Sequence, residues 1–551
     1  MSEASEGGVL FDEFLEGSYD CIDRVVLRAY FQLGQAPAGF RTWWRRWKGS
    51  DEGLDNMSLM RIAGRFARRV KGWAKSNTVP LVYSKPGERN EDLAESYLPE
   101  DPSFEGVFLI VVGRAPGNVW DVQHTADGRI RHIKRKEPRT WVNHYHFHIM
   151  DQEWGHLIIR FCPHPPFNAL VILNGHEWVA KEARRQGIEF TKEDNCFTEL
   201  SNARDLGLVA DTLSSSVSSV GRLVGVSERW IYSAVLCFAL DLADQERTDF
   251  RYQYSFFQAE YSRNLLFTSG TEMDQVFSGL IDRIRGPLDL GAIKTLFGAR
   301  QRPRLQKGQP SAPVVEVSLE KPTYDLTILR IRFGRRPLKI YTKGERVLRI
   351  EAMAHNVRDL RCRLGVVYFL EIVTALREMV ERFVEVLDCL DTAFVDVGRL
   401  DELSQPGRLG AAQVGGIDLN RARMRAVMEA TLALSPDVTG FSASDLAAKV
   451  HQILPREVYS TSRASYDLRK LRCKDLVSKK PHSRRYQIEP TGIRAMTALL
   501  VLREKIIRPL FAAASRTELA PDPQISSLLD RRYQAVQQEM LNLFPILGIA
   551  A

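Results

Sequence analysis

The chain has 551 residues, 44% of them apolar and 26% charged, a balance that belongs to folded domains and excludes a disordered chain. A length of this order implies two to four domains. The net charge of +8 is small for this size, so attraction to a polyanion has to come from local clusters of cations.

Seven cysteines (Cys21, Cys162, Cys196, Cys237, Cys362, Cys389, Cys473) are scattered and never form a C-x-x-C pair. That spacing argues against a zinc finger or a disulfide framework and fits a reducing compartment. The opening MSEASEGG lacks the basic-then-apolar pattern of a signal peptide, and apolar runs such as 231–240 are too short to span a membrane. The expectation is a cytoplasmic protein with no membrane partner. Its predicted class is α+β and multidomain: mixed α/β N-terminal and central domains with antiparallel hairpins, plus a C-terminal winged helix-turn-helix.

Residues 1–100 are expected to be basic, tryptophan-rich and mainly helical. In RTWWRRWK (41–48), Trp43, Trp44 and Trp47 interleave with Arg41, Arg45, Arg46 and Lys48. Indoles stack on bases while cations meet phosphates, which makes Arg41, Trp44, Arg45 and Arg46 candidate nucleic-acid contacts. An amphipathic helix with its tryptophans in the core has the same pattern.

Residues 101–300 are predicted to be mixed α/β and then helical. The run GVFLIVVG (106–113) suits a buried strand, and 140–150 with 156–162 suit a hairpin around the turn 151–155. A strand at 169–173 leads through Asn174-Gly175 into a helix at 177–186. The stretch NHYHFHIMD (143–151) sets His144, His146 and His148 on one face of a strand. Such imidazoles can hold a divalent ion, Mg or Mn, beside Asp151 and His156; a buried aromatic strand is the alternative. Residues 211–221 (DTLSSSVSSVG) are predicted as a soft seam. The segment 226–266 is predicted to be helical, with Phe250, Tyr254, Phe257 and Tyr261 as a core stripe.

Residues 301–323 form a Pro- and Lys-containing linker, and 324–400 are expected to hold a β-hairpin followed by an amphipathic helix at 366–390. A second, Gly-rich seam covers 405–416. Residues 418–515 carry the winged-helix pattern: helices at 420–434, 445–454 and 462–474, a basic-tipped hairpin from 476 to 488, and a long final helix that suits dimerisation. The outer face of the third helix presents Ser462, Tyr466, Arg469 and Lys470, and the tip adds Lys479, Lys480, Arg484 and Arg485. Residues 516–551 are expected to be a helical tail.

The stretch SYDLRKLRCKDLVSKKPHSRRYQIEPTG (465–492) resembles the recognition helix and wing of MarR-type winged-helix proteins, which implies DNA as a partner. LKIYTKGERVLRIEAMAHN (338–356) is similar to a hairpin of phage and plasmid replication-initiation proteins through Tyr341, Lys343, Gly344, Leu348, Arg349 and Glu351. His146-Phe147-His148 has the form of the histidine pair in HUH-class initiators and relaxases. These resemblances imply Tyr341 or Tyr261 as a nucleophile on DNA, with Glu351 and the histidines around a metal ion. The stretches DRVVLRAYF, LNGHEW, YTKGERVLRIE and SYDLRKLR resemble a group of long bacterial proteins of mobile elements, a likeness that implies a class and no mechanism. The expected function is a nucleic-acid-binding protein of a mobile element that recognises DNA through the winged helix and nicks or processes a strand, as a replication initiator or transposase does. The alternative is a non-catalytic transcriptional regulator or scaffold whose N-terminal part binds RNA, protein or a second DNA segment.

Overall fold

The central strands of the fold lie where the sequence shows no clean alternation. The computed structural model describes residues 14–85, 88, 90–285, 294–296, 315–320, 328–333, 336–391, 402–455, 458–503, 535 and 539. The chain forms two compact units, one of them made of Leu15–Met273 with Arg335–Val380. In that unit the strands are β1 (Leu15–Phe31), β2 (Leu81–Tyr83), β3 (Gly106–Gly117), β4 (Trp120–His124), β5 (Ile130–Arg135), β6 (Thr140–Asp151), β7 (Gly155–Phe161), β8 (Ala169–Asn174), β9 (Phe190–Glu193), β10 (Cys196–Leu200), β11 (Tyr252–Phe267), β12 (Arg336–Lys343) and β13 (Val347–Ala354). Its main sheet runs β12-β13-β11-β1-β8-β7-β6-β3-β2, with antiparallel neighbours except for the parallel pair β2/β3.

Two expectations fail at the middle of this sheet. Residues 15–31 are a strand rather than part of a mainly helical region, and 252–267 are a strand rather than a helix. The apolar side chains of β11 fit a period of two at Tyr252, Tyr254 and Phe256, and the helical spacing of Phe250, Tyr254, Phe257 and Tyr261 is a coincidence of the same residues. From Ala259 to Phe267 the strand is buried at almost every position, and there the alternation fades. Because β1 and the β12–β13 hairpin both pair with β11, the regions expected at 1–100, 101–300 and 324–400 share one sheet. The soft seam at 211–221 is only the break between helices α5 (Ala203–Ser215) and α6 (Ser218–Ala234).

Helices α1 (Pro37–Lys48) and α2 (Asn56–Ser76) supply aromatic core to one sheet face. Phe66 stacks on Phe161 at 5.0 Å and meets Tyr145 edge-on at 4.9 Å. The expected β6–β7 hairpin forms, with Tyr145, Phe147 and Ile149 buried on the helix-covered face and His144, His146 and His148 on the other. Between β2 and β3 lies the short helix α3 (Asn90–Glu95), and α7 (Leu242–Thr248) precedes β11. Helix α4 (Gly175–Arg185) follows β8 directly, and α8 (Phe369–Asp391) is the amphipathic helix expected at 366–390.

In the other unit, the described residues give helices Ala422–Leu434, Ala443–Ile453 and Thr461–Cys473, the antiparallel strands Val477–Lys479 and Tyr486–Ile488, and helix Pro490–Leu502. Ser442 and Asp445 close a reciprocal capping box on the second helix, and the Ser460 side chain caps the third. The Gly-rich seam contains a small hairpin, Gly407–Leu409 with Ala412–Val414. The 301–323 linker lies mostly outside the described residues, as does the 516–551 tail. Among the described residues no single helix is long and apolar enough to cross a membrane.

Candidate functional site

Three sequence stretches far apart in the chain meet in one buried polar cluster. Tyr19, Cys21 and Asp23 lie along β1; Ser262 and Asn264 along β11; Arg349 and Glu351 along β13. Register places Arg349 opposite Asn264 and Glu351 opposite Ser262, so these groups share a sheet face. Ser262 Oγ donates to Asp23 Oδ1 at 2.9 Å, and Arg349 Nε donates to Asn264 Oδ1 at 2.7 Å.

His176 arrives from helix α4. The Asn174 side chain accepts from His176 N at 2.9 Å and starts the helix, and Gly175 lets its first turn press against β1. A Cβ at Gly175 would stand 1.8 Å from the Ile22 carbonyl oxygen, a separation only glycine tolerates. The result is His176 Nδ1 at 2.9 Å from Asp23 Oδ1, with both side chains buried. Arg349 Nη1 stands 4.0 Å from Asp23 Oδ2, and neither of those two buried atoms has a hydrogen-bond partner. Burial pushes the Asp23 carboxyl up, but Arg349 and His176 outweigh it and hold the group below the usual range. Burial lowers His176 against the pull of Asp23.

A cleft of about 480 Å³ opens beside this cluster, lined among others by Asp23, Arg24, His156, Glu177, Lys192 and Glu260. The register of β1 against β11 steps between Ile22 and Arg24, a β-bulge that turns the consecutive residues Asp23 and Arg24 toward the same cleft. Burial, and behind it Glu351, push Glu260 up to about 7. That carboxyl therefore exchanges its proton near neutral pH, the range useful to a general acid or base. The sequence reading missed Asp23, His176 and Glu260. Asp23 and His176 stand in DRVVLRAYF and LNGHEW but had no partner until the fold was known, and nothing local marked Glu260.

Cys21, Asp23 and His176 hold their ligand atoms within 4.8 Å of one another, and among the described residues no other such group of three forms. Such a group could hold a metal ion, but Arg349 Nη1 already stands 4.0 Å from Asp23 Oδ2 and brings positive charge to the same carboxylate. Burial followed by Asp23 pushes the Cys21 thiol well up, so an ion bound there would have to displace its proton. His144, His146 and His148 do share a face, but they do not gather into such a group. His148 Nδ1 lies 3.0 Å from His156 Nε2, and His144 Nδ1 is 3.2 Å from the Val142 carbonyl oxygen. Burial lowers the three imidazoles to about 4, 3 and 3, so they are neutral at physiological pH.

The proposed nucleophiles sit in the sheet. Tyr261 is a strand residue; its hydroxyl donates to Asp20 Oδ2 at 3.1 Å and accepts from Arg377 Nε at 2.8 Å. Burial, then Glu351, push the Tyr341 hydroxyl far up, and Glu351 itself is ion-paired to Lys339 at 3.2 Å. In α1, Trp43, Trp44 and Trp47 are buried and pack on one another at 5.1 and 5.7 Å, so Trp44 is a core side chain rather than a base platform. Arg41 and Arg45 both grip Asp51, holding its carboxyl down at about 2, while Arg46 is exposed.

The expected DNA face divides into two groups. Ser462, Tyr466 and Arg469 are exposed on the third helix, whose opposite side buries Ala464, Asp467, Leu468 and Leu471. Lys479 and Arg484 are exposed on the hairpin. The other three cations serve the fold: Lys470 donates to the Gly416 carbonyl at 3.0 Å, Lys480 to that of Val438, and Arg485 to those of Thr439 and Gly440 while facing Asp437 and Asp445. Asp467 anchors the helix from within, accepting from Tyr459 Oη at 2.9 Å. Compared with family models, curated proteins and solved structures, the chain matches none, and its functional reading rests on this geometry.

Proposed function

We propose that the protein binds duplex DNA through helix Thr461–Cys473 and the hairpin after it, used as a winged helix. The observation that carries this reading is the set of exposed cations Arg469, Lys479 and Arg484, which make no hydrogen bond or ion pair among the described residues. They lie on consecutive elements: Arg469 beside Ser462 and Tyr466 on one helix face, the other two on the adjoining strand and tip. A helix that enters a major groove needs an uncommitted polar face, and a wing needs cations for the neighbouring backbone. The resemblance of four stretches to mobile-element proteins is what supports a mobile-element setting for this DNA reading, with a homodimer on a palindromic site as the simplest assembly.

The reading favours a regulator or scaffold over a strand-nicking enzyme. Both candidate tyrosines would have to leave buried hydrogen-bonded or desolvated positions before attacking a phosphodiester. The test is fluorescence anisotropy with labelled duplex DNA over a salt series, with a parallel denaturing gel in Mg²⁺, Mn²⁺ and chelator. Binding that weakens steeply with salt and loses roughly tenfold in Arg469→Ala supports the proposal. Salt-independent or Arg469-independent binding sinks it, and metal-dependent nicks would restore the enzymatic alternative.

A further inference from the structure

A second cleft on the histidine-bearing face of the main sheet has a different electrostatic character. It measures about 290 Å³ and is lined by Arg28, Arg139, Arg160, His144, His164 and Phe257 together with small or uncharged residues; none of its lining residues is acidic. Cross-strand register fixes the arrangement: His146 faces Arg160, Arg160 faces Leu170, and Leu170 faces Arg28. Side chains directly opposite one another stand on the same face, so Arg28 and Arg160 flank Leu170 from two strands apart, roughly 10 Å at the backbone. Arginine side chains are long enough to reach one ion the size of a phosphate from that separation, and both line the same cleft.

These guanidinium groups lack anionic partners. Arg28, Arg139 and Arg160 make no ion pair among the described residues. Arg160 is half-buried, and desolvation lowers it. Arg135 adds to the field: burial and then Arg28 lower it to about 10, and its Nη1 is tied to the Asn118 carbonyl at 3.0 Å. Partly buried positive charge without a counter-ion is costly, and a ligand anion offsets that cost. The two histidines lining the cleft are neutral, both lowered by burial to about 4, and His164 Nδ1 is buried without a partner.

Phe257 gives the cleft an apolar wall. The register between β1 and β11 steps from Val26↔Gln258 to Leu27↔Phe256, so Phe257 is the extra residue of a β-bulge. Bulges re-aim side chains, and here 42% of this aromatic residue is exposed at the cleft. An aromatic ring beside three guanidinium groups without a carboxylate partner, one of them (Arg28) resting over the Tyr30 ring at 5.6 Å, matches a ligand that carries both a flat ring and a phosphate.

We propose that this cleft binds the phosphate of a nucleoside phosphate through Arg28, Arg139 and Arg160, with the base against Phe257. The same chemistry is presented by a free nucleotide and by the 5′-phosphorylated end of a strand. The site is independent of the duplex-binding face proposed above.

The experiment measures equilibrium binding of the full chain to thymidine 5′-monophosphate, thymidine, and oligothymidylate trimers with and without a 5′-phosphate. Trimers are too short to occupy a winged helix, so failure here and failure of duplex binding are distinguishable. The expected result is roughly tenfold tighter binding of a phosphorylated probe than of its hydroxyl counterpart, lost in Arg28→Gln and Arg160→Gln. Phe257→Ala is expected to weaken nucleotide binding roughly five- to tenfold while leaving inorganic phosphate unchanged. Preference for the trimer identifies a strand end, and preference for the mononucleotide identifies a free nucleotide. Arg139 is exposed, so Arg139→Gln gives a variant whose loss of binding cannot be ascribed to an unfolded core. Equal binding of phosphorylated and hydroxyl probes, or binding indifferent to all three arginine variants, overturns the proposal.

Discussion

Asp23 and His176 stand 2.9 Å apart, Oδ1 to Nδ1, in a place from which water is excluded. One comes from the longest strand of the main sheet and the other from the first turn of helix α4. Asp23 is also the carboxylate nearest Arg349 Nη1. Replacing it leaves a fully buried guanidinium without its charge partner, so Asp23→Asn is expected to lose about 3–5 kcal/mol of stability. Arg349→Met in the same chain removes the stranded charge and is expected to recover part of the loss. Urea denaturation of the two variants checks both statements; a double variant no more stable than the single would show that the two residues do not act as a pair.

Gly175 and Gly187 offer a contrast within α4 and its exit. At Gly175 a Cβ meets the Ile22 carbonyl, and moving the helix away would part His176 from Asp23. Gly175→Ala is therefore expected to cost about 3 kcal/mol or more. Gly187 has φ +76 and nothing within 4 Å, so Gly187→Ala meets only backbone strain, about 1–2 kcal/mol. Thermal melting of the pair measures the difference, and equal losses would mean the close approach is not a constraint.

Acid should weaken the fold well above the range where carboxylates titrate. Burial lowers His144, His146, His148 and His164 to about 4, 3, 3 and 4, from an ordinary value near 6.5. On acidification the unfolded chain takes up protons before the native one does. Stability is thus expected to fall from pH 6.5 toward pH 3–4, each imidazole contributing up to about 1.4 kcal/mol per pH unit. Denaturation midpoints at pH 7, 6 and 5 test this, and His148→Asn should flatten the slope. A midpoint constant down to pH 5 would contradict it.

Cations on the same hairpin should behave differently when removed. Arg485 is tied to the carbonyls of Thr439 and Gly440 and faces two carboxylates, so Arg485→Ala is expected to lower stability by about 2–3 kcal/mol. Arg484 is exposed, and Arg484→Ala should leave melting unchanged, within about 0.5 kcal/mol, while reducing the salt dependence of DNA binding. Melting curves beside a salt titration separate the two effects.

Local features were readable before the fold. The β6–β7 hairpin, the helices expected at 445–454 and 462–474, and the common face of His144, His146 and His148 each depend on residues a few positions apart. The same local reasoning misassigned β1 and β11, because the most central strands carry polar residues such as Asp23, Ser262 and Asn264 at buried positions and break the alternation. It also put every cation of the third helix and hairpin on one DNA face. Lys480 and Arg485 look no different from Lys479 and Arg484 until the carbonyls they bind are in place.

Chain order alone determined the caps, the turns and the amphipathic faces, since those interactions close over one or two turns of backbone. Tertiary structure decided that DRVVLRAYF, LNGHEW and YTKGERVLRIE share one site, through Asp23, His176 and Arg349. That meeting depends on the register of β1 and β13 against β11 and on the close approach that Gly175 permits. Neither is encoded in periodicity: a one-residue slip between strands preserves each strand's own pattern while turning every side chain to the opposite face.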